Sequence, residues 1–260
     1  MKRFLFLLLT LVVLLGLQCS VGKFQPREIV LLNIDLSKLS TNYLSLADYQ
    51  EDTVVIGGNY TGDRLVFKNV RDVVMIFVDC SINSTHAEDA LVFADPVYQL
   101  EMWAEELTVE GGGITFWSLA SNVRLSGGSI RNTHTGIRAT QDVPHQNITI
   151  ENWYIENTTH EGIYLGVSKA TDKAGTGFLI QKSTLENSGW DGIQVGNTRH
   201  AVMTDNTLRK CGVVNQYGQD YGITVNPGSL AYIYNNTILE TEKPIQVLDA
   251  RVFFHAPITQ

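Results

Sequence analysis

Two carboxylates, Glu161 and Asp191, stand in matching surroundings, Glu161-Gly162-Ile163-Tyr164-Leu165 and Asp191-Gly192-Ile193-Gln194-Val195. His160 and Trp190 precede them, and His134-Thr135 precedes a third segment, Gly136-Ile137-Arg138. If the chain lays these segments side by side, the carboxylates become neighbours. Such a pair can separate in pKa and divide acid and base roles, or hold Ca²⁺. Arg138, His160, Glu161 and Asp191 are therefore the candidate catalytic set: a base for a proton beside a uronate carboxylate, and a cation to neutralise that carboxylate. His134, Tyr164, Trp190, Gln194 and Tyr221 are the candidate substrate contacts, the aromatic members offering flat apolar faces with polar edges to sugar rings. Glu161 and Asp191 are also the candidate metal ligands, with Ca²⁺ as the ion. Residues before a Gly-Ile are turn residues, and Asp, Glu, Thr and His are common there without chemistry, so binding without turnover ranks ahead of catalysis.

What would bring the segments together is a repeat. Ile150-Glu151-Asn152-Trp153-Tyr154-Ile155-Glu156-Asn157 leads to the first Gly-Ile, and Ile180-Gln181-Lys182-Ser183-Thr184-Leu185-Glu186-Asn187 leads to the second. Internal repetition outranks other signals for architecture. The first aliphatic of each closing segment is Leu65, Leu91, Ile114, Ile137, Ile163, Ile193, Ile223 and Ile245, at gaps of 26, 23, 23, 26, 30, 30 and 22 residues. Each unit is a set of short alternating strands divided by Asn, Gly, Ser or Thr turns, so it can bury one face but cannot build a core alone. Stacked as turns of a coil, the units pair in parallel and pile their Ile, Leu and Val into columns. The longer gaps place insertions at one corner, residues 167–177 and 212–219. Asn132, Asn157 and Asn187 fall at one offset, where a ladder of left-handed turn residues is expected.

Over residues 54–247 these units resemble the repeat of right-handed parallel β-helix proteins, the superfamily of pectate and pectin lyases, and Glu161-Gly162-Ile163-Tyr164-Leu165-Gly166 resembles its closing strand. The resemblance implies an all-β, single-stranded right-handed solenoid of about eight coils. For function it implies less, since the superfamily spans lyases, hydrolases, epimerases, adhesins and noncatalytic surface proteins. Pectate lyases of this fold pair several Asp ligands for Ca²⁺ with a catalytic Arg or Lys, and only fragments of that set are matched here.

The chain has 260 residues, 44% of them apolar, enough for one sizeable core. Lys2-Arg3, an apolar run over residues 4–17 and small residues at Ser20 and Gly22 read as a secretory signal over residues 1–22. The run is shorter than the roughly 20 residues of a bilayer span, and no membrane span is expected. Lipidation at Cys19 is the lesser alternative, because the residues before it depart from a lipobox. Residues 23–52 are expected to cap the solenoid, 53–250 to form it, and 251–260 to serve as a tail or partial cap. Without the signal, 17 Lys plus Arg face 27 Asp plus Glu, and nothing basic offsets them, which argues against a nucleic-acid partner. Cys80 and Cys211 sit about five coils apart, on the order of 24 Å at ~4.8 Å per coil, too far to pair. Glu101, Glu105, Glu106 and Glu110 match no metal loop and read as solvated surface.

The resulting expectation is a secreted, cell-surface or periplasmic β-helix that binds polysaccharide along one face, with a polysaccharide lyase or uronate epimerase at that face as the alternative. An open sheet edge at the last coil makes a homo-oligomer or a downstream domain the expected protein partner.

Overall fold

The computed structural model describes residues 31–50, 52–214 and 219–255. The expected signal at 1–22, residues 23–30 of the expected cap and residues 256–260 of the tail lie outside the described residues. The chain winds into a parallel β-solenoid with three strands to a regular turn. A leading flank runs from Val97–Trp103 through Ala120–Ser126, Gln146–Glu151, Phe178–Gln181 and Ala201–Thr204 to Leu230–Tyr234. A middle flank holds Leu107–Glu110, Ser129–Thr133, Tyr154–Thr158, Thr184–Ser188, Thr207–Arg209 and Thr237–Leu239. Arg71–Ser84 pairs with both flanks and joins them into one 16-stranded sheet. Opposite lies a closing sheet of nine strands: Tyr43–Ser45, Leu65–Lys68, Asp89–Phe93, Gly113–Phe116, Ile137–Ala139, Ile163–Gly166, Ile193–Gly196, Tyr221–Val225 and Lys243–Val247. Crossovers between parallel strands of one sheet are right-handed almost without exception, which accounts for a right-handed coil.

The aliphatic ruler of the sequence is the register of the closing sheet. Ile114 faces Ile137, Ile137 faces Ile163, Ile163 faces Ile193, Ile193 faces Ile223 and Ile223 faces Ile245. All but the last of these are fully buried, and full burial of one such side chain contributes about 1.5–3 kcal/mol. Two residues on, Phe67, Phe93 and Phe116 stack at centroid distances of 5.7 and 4.8 Å. The Asn ladder is present: Asn187 donates to Asn157 and Asn157 to Asn132, both at 3.1 Å, and the three residues have φ of 55, 56 and 52°. Cys80 and Cys211 are both buried free thiols.

The ends depart from the expected layout. Leu31–Asp35 pairs with Thr53–Gly62, and Tyr43–Ser45 pairs with Leu65–Lys68, so this part of the expected cap is an additional turn. A 3₁₀ turn, Leu36–Lys38, links them, with the Asp35 carboxylate accepting from the Ser37 N–H at 3.1 Å. Arg251–His255, expected as tail, pairs with Leu230–Tyr234 and stacks Phe253 on Tyr232 at 5.2 Å. A terminal turn has a neighbour on one side only, so it needs fewer apolar anchors and its period is harder to see.

Strict alternation would send Glu161, two before Ile163, into the core. Gly162 prevents this. A Cβ placed there would lie 2.3 Å from Leu185 Cδ2 and 2.7 Å from the Gly192 carbonyl, so Gly162 faces inward. Gly192 does the same against Leu208 Cδ2, at 2.6 Å. The bends at these glycines leave Glu161 and Asp191 on the outside. Gly162→Ala is therefore expected to lower stability by about 1–3 kcal/mol through overpacking. Urea unfolding of the variant checks this, and an unchanged midpoint would contradict the inward placement of residue 162.

Candidate functional site

On the outer face of the closing sheet the bends bring Thr135, Glu161 and Asp191 into line, and the outward strand residues Thr115, Arg138, Tyr164, Gln194 and Thr224 run beside them in register. Every candidate predicted from the sequence lies on or at the rim of this face, but their states differ from one end to the other.

At the Arg138 end the polar groups are matched. The Arg138 guanidinium donates to Asp89 at 2.9 Å, to Glu88 at 3.1 Å and to the Thr115 hydroxyl at 3.1 Å. Thr115 in turn donates to Asp89 at 2.5 Å. Arg64 reaches the other Asp89 oxygen at 3.4 Å while lying over the Trp117 ring. The Asp89 side chain is 3% exposed, and removing one partner of such a pair costs on the order of 3–5 kcal/mol. The guanidinium of Arg138, the expected catalytic cation, is thus paired with Glu88 and Asp89. These acids were legible, because Asp89 stands two before Leu91, the offset of Glu161 from Ile163 and of Asp191 from Ile193.

Along the rim, the imidazoles and the indole form a stack. His134 and His160 have ring centroids 3.5 Å apart, and His160 lies against Trp190 at 3.4 Å and 15°. Burial is the main cause that lowers the His160 pKa to about 4, with the His134 charge acting the same way. Burial also lowers His134, whose Nδ1 is enclosed without a partner. The expected sugar platforms are partly taken: one Trp190 face meets His160, and the Tyr221 ring has the Lys243 ammonium 5.3 Å from its centre. A side chain three residues before each closing aliphatic must stack on its counterpart, a consequence of the repeat that the sequence contained.

Beneath the rim lies an acid layer. Glu161 is 3% exposed and Asp191 0%. Both side chains lie on the outer side of the sheet yet are covered, as is Gln194 at 1%. Burial raises both carboxyl pKa values, that of Asp191 to about 7, against the hydrogen bond it accepts from the Tyr221 N–H at 2.9 Å. The Thr224 hydroxyl offsets part of the Asp191 rise without the geometry of a formed hydrogen bond. Glu161 accepts from Thr135 at 3.3 Å. Tyr164 is pushed up to about 12, chiefly by burial. Asp220 is buried and ion-paired with Lys243. Among the described residues no three His, Cys, Asp or Glu side chains converge as metal ligands.

A shallow groove of about 680 Å³ lies elsewhere, on the leading flank, lined by Asp72, Gln99, Glu101, Asn122 and Arg124. Its guanidinium is paired with Glu101 and Glu151 at 3.1 and 2.5 Å. Of the acidic cluster, Glu106 accepts from the Asp79 N–H and Glu110 from Asn132, which are structural roles.

With this geometry in place, comparison with known families gives the class. The family model described as periplasmic copper-binding protein (NosD) matches residues 88–252. The chain belongs to the NosD family. The match opens beside the strand that carries Asp89 and runs to the last paired strand, so it spans the whole acid layer. Among solved structures, an alginate lyase from Paenibacillus sp. str. FPU-7 is similar at 14% identity and a TM-score of 0.39, covering 88% of this chain and 99% of that one, a likeness too loose to bear on chemistry. No curated protein matches the chain. No helix among the described residues is long and apolar enough to cross a membrane.

The Asp191 carboxyl carries a pH signature. Its pKa rises from 3.8 to about 7 on folding, so the folded state holds the extra proton between those values and stability falls as pH rises through them, then levels above 7. His145 and His160, lowered to about 4, act in the opposite direction up to about 6.5. The difference between wild type and Asp191→Asn isolates the acid. In metal-free buffer the variant is expected to gain more than ~1 kcal/mol on wild type between pH 4 and pH 7. Parallel unfolding profiles would contradict the raised pKa.

Proposed function

We propose that this chain is an exported, periplasmic β-helix that binds polysaccharide along the outer face of its closing sheet without turning it over. One observation carries the reading: the acid layer is enclosed, while His134, Arg138, His160, Tyr164, Trp190 and Tyr221 stay half-buried above it. That rim offers donors, acceptors and ring edges over four turns, a spacing suited to an extended glycan. Turnover by the expected set has less support, because Arg138 is occupied by acids and Glu161 and Asp191 lie out of a polymer's reach. Export is supported by the signal-like residues 1–22 and by the periplasmic description of the family.

The same description names copper, which favours thiolate, thioether and imidazole ligands. The two cysteines are buried with thiols pushed up to about 12 and 11, His145 is fully buried with Nδ1 bonded to the Ala120 N–H, and the His134 and His160 rings pack against each other at 45°. The described residues do not fit a copper centre. Lyase or epimerase action remains the second reading for one reason, the proton affinity of Asp191 near neutrality beside Glu161.

Glycan-array binding with uronate polysaccharides included is expected to show retention that Trp190→Ala and His160→Ala weaken by roughly tenfold or more. Ultraviolet absorbance from unsaturated products is expected to stay flat, and NMR of recovered polymer is expected to show no epimerised sugar. Growth of that absorbance, or epimerised product, lost in Asp191→Asn, would establish the second reading; absence of glycan retention would defeat the first.

A further inference from the structure

At the Asp191 end, four enclosed oxygens have no hydrogen-bond donor: Asp191 Oδ2, Gln194 Oε1, Asp220 Oδ1 and Thr224 Oγ1. Their residues are 0, 1, 5 and 1% exposed. Natural folds rarely leave one such atom unexplained, and a group of them points to an ion or water that meets them together. The four belong to one patch. Gln194 and Thr224 are register partners with both side chains outward, Thr224 lies beside Asp191, and Asp191 feels the charge of Asp220. Each carboxylate is also held by its other oxygen, Asp191 Oδ1 by the Tyr221 N–H at 2.9 Å and Asp220 Oδ2 by the Lys243 ammonium.

Asp191 Oδ2, Gln194 Oε1 and Asp220 Oδ1 only accept, and the Thr224 hydroxyl oxygen can accept through its lone pairs, so an electron-poor partner suits all four. Two carboxylates, an amide oxygen and a hydroxyl form a hard, oxygen-only donor set, with neither sulfur nor imidazole in it. Mixed charged and neutral oxygens in a flexible arrangement suit calcium better than magnesium, which demands a near-ideal octahedron and keeps its waters. The charge of Glu161 also acts on Asp191, while the Lys243 ammonium pairs with Asp220. We propose that the outer face of the closing sheet binds a calcium ion through Asp191, Gln194, Asp220 and Thr224. This site is shifted from the Glu161–Asp191 pair expected from the sequence, and it draws on the loop side of the sheet that Asp220 brings in. Calcium there would cross-link two turns of the solenoid and hold the strand that carries Trp190 and Gln194 against the next.

The ion is measured with no glycan present, so the outcome is independent of carbohydrate binding. Full-length protein freed of metal by chelation is titrated with calcium to about 10 mM, above the ~1 mM dissociation constants of weak extracellular calcium modules. Thermal unfolding follows binding, because an ion that binds only the folded state raises the melting temperature. Terbium, a calcium stand-in, is followed by luminescence excited through Trp190. The expected result is a saturable rise in melting temperature and a terbium signal that calcium displaces. Asp191→Asn and Thr224→Val are each expected to weaken both responses by roughly tenfold or more. Circular dichroism confirms folding, and Gln194→Met supplies the same reading should either variant fail to fold. A wild type without saturable calcium or terbium response, or folded variants that bind as tightly as wild type, overturns the proposal; the first result would assign the orphan oxygens to water.

Discussion

Parallel pairing of successive turns, held in one register from Gly113–Phe116 onward in the closing sheet, is the constraint on which the rest of this structure depends. A slip of one residue would turn every buried Ile of the closing sheet to solvent and every outward residue to the core. The register that stacks Ile137 on Ile163 and Ile163 on Ile193 also stacks what lies between them. Outward residues 26 or 30 apart in the chain become neighbours, and so do the bends before them. Longer insertions enter between strands, as where one unit carries its surplus at 167–177 between Ile163–Gly166 and Phe178–Gln181. Gly162 and Gly192 complete the device: by facing the core themselves they release the acids before them to the outside.

That shared register makes the contrast along the outer face informative. The same positions that give Asp89 two guanidiniums and a hydroxyl give Asp191 one amide N–H and an unmatched oxygen. The first end is a closed electrostatic unit that holds early turns together. The second stores unmet acceptor capacity, and desolvation there keeps a proton on Asp191 to near neutrality. A face built from one repeat thus carries both a structural and a ligand-seeking environment, according to which side chains the neighbouring turns supply. The rim stack of His134, His160 and Trp190 lies beside both.

Periodic features were legible in the sequence because a solenoid converts period into contact. The eight aliphatic positions, the Asn ladder and the outward direction of Arg138, Tyr164 and Gln194 all follow from a fixed offset. Features set by a single neighbour were not legible. The turn formed by Leu31–Asp35 and Tyr43–Ser45 has few apolar anchors, since only one side of it is paired. The covering of Asp191 and Gln194 depends on how neighbouring side chains pack, which no offset describes. Arg138 shows an intermediate case: its partners Glu88 and Asp89 lie two turns back, three and two residues before Leu91, within reach of the ruler once it is run to Leu91. The faces of Trp190 and Tyr221 could be placed on the rim from sequence, but their occupation by His160 and Lys243 is a matter of ring spacing and rotamer.

The central claim is that the outer face of the closing sheet is where this solenoid meets its ligand. Hydrogen–deuterium exchange of the full chain, with and without a uronate polysaccharide, tests it most directly. The account predicts slowed exchange confined to Ile137–Ala139, Ile163–Gly166, Ile193–Gly196 and the bends before them. Protection on the leading or middle flank instead, or no protection anywhere at saturating polysaccharide, would contradict it.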